Sequence, residues 1–294
     1  RAGYDYYLIH VKGHAAPDRR NDEKFILKYG SSGTLGRMVG KSYIADWIEY
    51  ESYPWESIDE IDYSIIEQSA GLLYGGMKVI VNIGPLFSGV WRTMGLNEFS
   101  YAIVENIELV KAITNRIASM LMVITEKVVK YPYVQGIWMG DDLAFAEGLL
   151  VSPEFYRKYI FPWYKKIGEV CRSYNKIYIH HSDGKLDDVM EDLINCGFHA
   201  LQPFEPKAMD IYKIKKKYGK RVALIGNVNL GETLSSGTIE KTRQETLEKL
   251  RLLAPGGGYA LGSSNSIAHF VKMENYYAML NTLYEFGRYP INLP

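Results

Sequence analysis

Residues 176–184 read Lys-Ile-Tyr-Ile-His-His-Ser-Asp-Gly. The first half of this stretch is a short apolar run rich in β-forming residues. The second half is two histidines, a serine, an aspartate and a glycine. Just downstream, Leu186, Val189, Met190, Leu193 and Ile194 recur at helical spacing, and Gly197 is placed to end that helix. Residues 177–181 are therefore predicted as a buried strand, 182–185 as a loop, and 186–196 as a helix. Titratable residues crowded where a strand feeds a helix mark the place at which α/β proteins put their chemistry. A plainer reading makes Asp183 a helix cap and the histidines hydrogen-bonded packing.

Working outward, the same unit recurs. Strand 198–202 precedes helix 208–218, strand 222–225 precedes helix 238–253, and strand 258–262 precedes helix 273–286. Toward the N-terminus, strands are predicted at 6–11, 77–83 and 134–139, and helices at 59–74, 97–104 and 107–130. Residues 43–50 are aromatic and read as a strand or a loop arm. Residues 86–95 read as a loop rich in Gly, Trp and Phe. Ser152 is a suitable N-cap with Pro153 behind it, and that helix should run to about Tyr174, bent at Pro162. Residues 12–40 read as a long loop. Within them, Gly30-Ser-Ser-Gly-Thr34 lacks the Gly-Lys-Ser/Thr of a phosphate loop.

Buried-type strands alternating with helices imply a parallel sheet. The chain has 294 residues, 47% of them apolar, and no break in composition. These features favour one closed (β/α)8 TIM barrel over residues 1–294, with eight strands, or seven if the first N-terminal unit is missing. The runner-up, a doubly wound dinucleotide fold, lacks its fingerprint: Gly256-Gly-Gly258 precedes its strand instead of following it. The chain starts abruptly, Arg1-Ala2-Gly3-Tyr4 running at once into a strand, which reads as a fragment whose N-terminus lies upstream.

Lys+Arg and Asp+Glu both number 34, so the formal charge is 34 − 34 = 0. That balance argues against a nucleic-acid or membrane-surface partner. Cys171 and Cys196 lie on predicted helices, outside any Cys/His metal spacing. With no signal peptide and no long apolar run, this favours a cytoplasmic setting.

In a parallel barrel the strand ends share one mouth. Collected, they give His181, Asp183 and Asp142 as candidate catalytic residues, and His10, Asn82, Gln202, Glu205, Asn227 and Asn265 as candidate substrate-binding residues. Asp141 beside Asp142 admits a second reading, as one N-cap and one surface charge. An imidazole with two carboxylates suits proton transfer or a metal with hard ligands. His180 and His181 are strand neighbours and face opposite ways, so His181 is expected in the mouth and His180 toward the helices. A nucleophile elbow is absent, and neither cysteine falls at a strand end.

These residues resemble a known family. The 178–184 stretch is similar to the His-x-Cys/Asp-Gly segment of the uroporphyrinogen decarboxylase superfamily, and Leu224-Ile-Gly-Asn-Val228 to its Gly-Asn loop. Gly237-Thr-Ile-Glu240, Gly257-Gly-Tyr259 and Met273-Glu-Asn275 fall in the order of its later motifs. Gly84-Pro85, Asp142-Leu-Ala144 and Ser152-Pro-Glu154 resemble earlier ones. The resemblance spans roughly residues 77 to 290 and implies a TIM-type barrel with one of two chemistries.

The first chemistry is cofactor-free removal of carboxylates from a porphyrinogen. It uses an arginine-containing N-terminal stretch, which would lie upstream of residue 1. It also uses an aspartate at a position where residues 8–12 read Leu-Ile-His-Val-Lys, and a late His-Gly where Ser264-Asn-Ser266 stands. The second chemistry is methyl transfer to or from a corrinoid protein, with a His-x-Cys pair and a later Cys binding zinc. Here His181 is kept, Asp183 takes the Cys position, and residues 255–259 hold no cysteine.

The expectation is thus a methyltransferase acting on a small methylated substrate, with the corrinoid carried by a partner protein and a divalent metal such as zinc as candidate cofactor. The alternatives are a carboxy-lyase, uroporphyrinogen III decarboxylase, and a non-catalytic barrel that binds a small ligand.

Overall fold

The computed structural model describes residues 5–11, 43–55, 57 and 61–291. The loop expected over 12–40, with its glycine run, lies outside the described residues. The chain divides into two compact units. One takes Asp5–Asp141 and Glu154–Lys176; the other takes Asp142–Pro153 and the chain from Ile177 onward.

In the first unit, β1 (Tyr6–His10), β2 (Lys78–Asn82) and β3 (Val134–Gly140) pair in parallel, in sequence order. Ile9, Val79, Val81 and Ile137 are buried, as apolar β-branched residues in a covered parallel sheet should be. Residues 43–50 do not form a strand. They enter helix α1 (Trp47–Ser52), nucleated by Asp46, whose carboxylate accepts the Glu49 N–H at 2.8 Å. Of the helix expected at 59–74, residues 59 and 60 lie outside the described residues, and the rest gives α2 (Ser64–Ser69) and a 3-10 turn, Ala70–Leu72.

Residues 86–95 correct the sequence reading more sharply. They form helix α3 (Phe87–Met94) instead of a loop. The reason is the Asp141 carboxylate, which accepts the N–H groups of Leu86, Phe87 and Ser88 at 2.8, 2.7 and 2.6 Å. A cap delivered from a strand more than fifty residues away leaves no local signature. Helices α4 (Leu96–Glu105) and α5 (Ile107–Val128) follow, the second with Asn106 as N-cap.

Pro153 opens a helical turn, Pro153–Phe155, as its position after Ser152 suggests. A π-turn, Tyr156–Ile160, leads into α6 (Phe161–Ser173). Helical residues thus run without a break from Pro153 to Ser173, close to the expected end at Tyr174, with Pro162 in the first turn of α6. The proline ring excludes the carbonyl four residues back, that of Lys158, and the irregular turn falls there.

In the second unit, β4 (Ile177–His181), β5 (Ala200–Gln202), β6 (Ala223–Val228) and β7 (Tyr259–Ser263) are parallel and again in sequence order. A 3-10 turn, Asp187–Val189, splits the expected 186–196 helix and leaves α7 (Met190–Asn195). Helices α8 (Ile211–Tyr218), α9 (Ile239–Leu253) and α10 (Met273–Phe286) each follow a strand. Val228, Leu234, Val271, Tyr276, Met279 and Leu280 form a buried cluster joining the end of β6 to α10.

Among the described residues there are seven parallel strands with helices between them, a TIM-barrel-like α/β fold. Among the described strands the order reverses in neither unit, so neither shows the switch point of a doubly wound sheet. No described helix is long and apolar enough to cross a membrane.

Candidate active site

Parallel pairing sets the site. His181 ends β4 and lies opposite Gln202, which ends β5. Side chains opposite each other on paired strands share a face, and the His181 Nδ1 meets Gln202 Oε1. An amide oxygen only accepts, so Nδ1 carries the hydrogen and Nε2 is turned outward. Nε2 stands 3.8 Å from Asp142 Oδ1 and 3.8 Å from Asp183 Oδ1.

The two carboxylates are held from both sides. Asn265 Nδ2 donates to both oxygens of Asp183, at 3.2 and 3.0 Å. The Asn265 amide is itself oriented, because its Oδ1 accepts the Ser266 N–H at 2.7 Å. Asp142 Oδ1 accepts the Asp183 N–H at 3.1 Å, and Glu205 Oε2 accepts the Gly184 N–H at 2.9 Å. Ser182 ties the loop down: its Oγ accepts the Leu143 N–H at 2.9 Å and donates to the Asp183 carbonyl at 3.0 Å. The turn needs Gly184, at φ +86°, where a Cβ would come within 2.5 Å of the Ala144 carbonyl carbon and the Phe145 oxygen.

Burial pushes the Asp183 carboxyl up to about 6. The charge on His181 and the Asn265 hydrogen bond pull it down, and the carboxylates of Asp142 and Glu205 push it further up. A carboxyl that titrates near neutrality beside an imidazole can hold or release a proton under working conditions.

The same three side chains fit a divalent ion. One ligand atom each from Asp142, His181 and Asp183 can be chosen so that all lie within 4.8 Å of one another. A metal with bonds of about 2.1 Å needs ligand atoms about 3.4 Å apart, a small contraction from this arrangement. The donor set is one nitrogen and two carboxylates, with Gln202 fixing the imidazole and Asn265 fixing one carboxylate. It does not fit a Cys-ligated zinc: Cys171 and Cys196 are both buried, on or beside helices.

The remaining sequence candidates have other local partners. His10 and Asn82 are register partners at the ends of β1 and β2, in the other unit. Asn82 Oδ1 accepts the Gly84 N–H at 2.9 Å and shapes the Gly84-Pro85 turn. Asp141 is the helix cap described above; it is fully buried and also accepts from Tyr164 Oη at 2.6 Å. Burial raises its pKa against the pull of those donors. Asn227 is buried and spends its amide on Phe204 and Lys249. His180 is buried on the opposite face of β4, its ring 4.8 Å from that of Phe198.

Sequence reasoning missed Ser182 and Lys249. Ser182 carries no sequence signal. Lys249 does, because it falls on the buried face of α9 with Thr242, Thr246, Leu250 and Leu253. A lysine at such a register needs a buried partner.

The family model described as uroporphyrinogen decarboxylase (URO-D) matches residues 63–286. The chain belongs to this family. Two curated relatives, both named methylcobamide:CoM methyltransferase MtaA and both from Methanosarcina barkeri, are 29% identical over 155 residues and 30% identical over 129 residues. Those alignments take 50% and 41% of this chain, and 44% and 37% of the relatives. The chain therefore spans less than half the length of these family members. A solved structure, a methyltransferase from Methanosarcina mazei, superposes with a TM-score of 0.64 at 21% identity. It covers 76% of this chain and 63% of that one. The superposition shows a shared fold.

Proposed function

We propose that this chain transfers a methyl group between a small methylated substrate and a corrinoid protein. The observation that carries the reading is the charge of the site. Among the described residues, the groups that act most strongly on Asp183 are His181, Asp142, Glu205 and Asn265, and none of these is a lysine or arginine. A porphyrinogen bearing several carboxylates would meet three carboxylates there and be repelled. A neutral or cationic methylated molecule, or the face of a corrinoid, meets no such barrier. The names of the curated relatives favour the same chemistry.

In this reading Gln202 holds the His181 imidazole so that Nε2 faces the reacting group. Nε2 and the Asp183 carboxyl share the proton that the acceptor gives up. Asn265 and the Gly184 turn keep Asp183 in reach. A divalent ion bound by Asp142, His181 and Asp183 would act as a Lewis acid on the acceptor heteroatom.

The test uses methylcobalamin as donor and a small thiol as acceptor. The methyl carbon leaves cobalt for sulfur, the Co–C electron pair stays on cobalt as Co(I), and the thiol proton goes to the site. The corrinoid spectrum follows the reaction. Turnover is expected with the wild-type chain, and His181→Ala should lower it by roughly a hundredfold or more. Untouched methylcobalamin together with release of CO2 from uroporphyrinogen would overturn the reading.

A further inference from the structure

We infer that Lys249, on the buried face of α9, is a positioning residue that aims Glu205 at the active-site loop through Asn227 and Phe204. Its only link to the proposed methyl transfer is that it serves the same site. Lys249 is 4% exposed, and its Nζ donates to Asn227 Oδ1 at 2.8 Å and lies 3.2 Å from Glu245 Oε1. Glu245 Oε1 also accepts the Asn229 N–H at 3.0 Å, so the ion pair is anchored to the chain just past β6.

Asn227 passes the constraint on. Its Nδ2 donates to the Phe204 carbonyl at 2.6 Å. An ammonium only donates and a carbonyl only accepts, so a single amide orientation satisfies both neighbours. An aspartate at 227 would set an acceptor against the Phe204 carbonyl, and an apolar residue would leave two buried groups unserved.

The constraint acts on a strained residue. Phe204 holds φ +55°, a left-handed conformation that a bulky side chain adopts only when its surroundings force it. Phe204 is buried, and the next residue is Glu205, whose Oε2 accepts the Gly184 N–H beside Asp183. If the Asn227 bond is released, Phe204 is free to leave the left-handed region and Glu205 loses its aim.

The test is a double variant, Lys249→Met with Glu245→Gln, which removes both members of the buried ion pair together and spares the fold an unpaired charge. One readout needs no activity: hydrogen exchange at the Gly184 amide, followed by NMR. It should quicken by roughly tenfold or more while most other core amides keep their protection. The second is the methyl-transfer assay, in which kcat should fall by about tenfold or more with KM little changed, the scale of a small misplacement near the chemistry. Adding Glu205→Gln to the double variant should cost less than about twofold further, because both changes act through one carboxylate. Lys249→Arg keeps a donor for Asn227 and should restore both readouts toward wild type.

Wild-type exchange at Gly184 in the folded double variant would overturn the inference. So would a Glu205→Gln effect that multiplies in full, or, should the double variant not fold, a Lys249→Arg protein that folds with Gly184 exchange as fast as unprotected amides. Because the exchange readout is independent of turnover, a wild-type chain inactive with methylcobalamin would sink the methyl-transfer reading and leave the Lys249 result standing.

Discussion

At the residue scale, two adjacent histidines on β4 have opposite fates because a strand alternates its faces. His181 is partly exposed among carboxylates. His180 is 1% exposed, and burial, with the charge of His181 next to it, holds its pKa down to about 3. The unfolded chain takes up that proton below about pH 6.5, whereas the folded chain does not until about pH 3. His180 therefore contributes stability in full above pH 6.5, and this is lost progressively as the pH falls toward 3. Urea unfolding of wild type should show that loss between pH 6.5 and 4. His180→Phe, which keeps a ring against Phe198, should flatten it. An equal acid slope in both proteins would count against a neutral buried imidazole. His180 was legible in part: the period of two placed it away from the mouth, but only packing against Phe198 fixed its charge state.

At the scale of elements, the loop from β4 into α7 depends on Gly184. An alanine there would need φ +86° and would bring its methyl to 2.5 Å from backbone atoms of residues 144 and 145. The main chain must move, and with it the Gly184 N–H that Glu205 holds and the neighbouring Asp183. Gly184→Ala should lower stability by about 1–3 kcal/mol in denaturant unfolding and weaken activity more than its loss of folded protein explains. Activity per folded molecule equal to wild type would separate the turn from the site. Helix α3 makes the complementary point. Residues 86–95, with Gly89 in the middle and no local cap, read as a loop until Asp141 of another element supplies the missing acceptors. Helix α5, capped by its own neighbour Asn106, was legible from sequence alone.

At the scale of the whole molecule, a divalent ion held by Asp142, His181 and Asp183 would bind the folded chain and not the unfolded one. It should raise the melting temperature with concentration, by the equivalent of about 2.7 kcal/mol at a hundred times its dissociation constant. Mn2+ and Zn2+ titrations followed by thermal melts would measure this. The double variant Asp142→Asn with Asp183→Asn should lose the shift. A shift that survives in the variant would place the binding elsewhere, and no shift in wild type would leave acid–base chemistry as the role of the three side chains.

The sequence by itself determined the class of fold, because parallel strands buried on both faces must be written as short apolar runs between amphipathic helices, and that alternation is local. It also determined which residues stand at strand ends: His181, Asp183 and Asp142 were legible as a group because each follows such a run. Tertiary structure decided which of those ends in the second unit lie close together. Strand register set Gln202 against His181, and a loop turn carried Asn265 to Asp183 across 82 positions of sequence. It also separated Asp141 from Asp142, committing one to a helix cap and the other to the site. The buried pair of Lys249 and Asn227 lay beyond reach for the same physical reason. A buried polar group is explained by its partner, and the partner of Lys249 is chosen by the packing of α9 on β6, which no local stretch of sequence encodes.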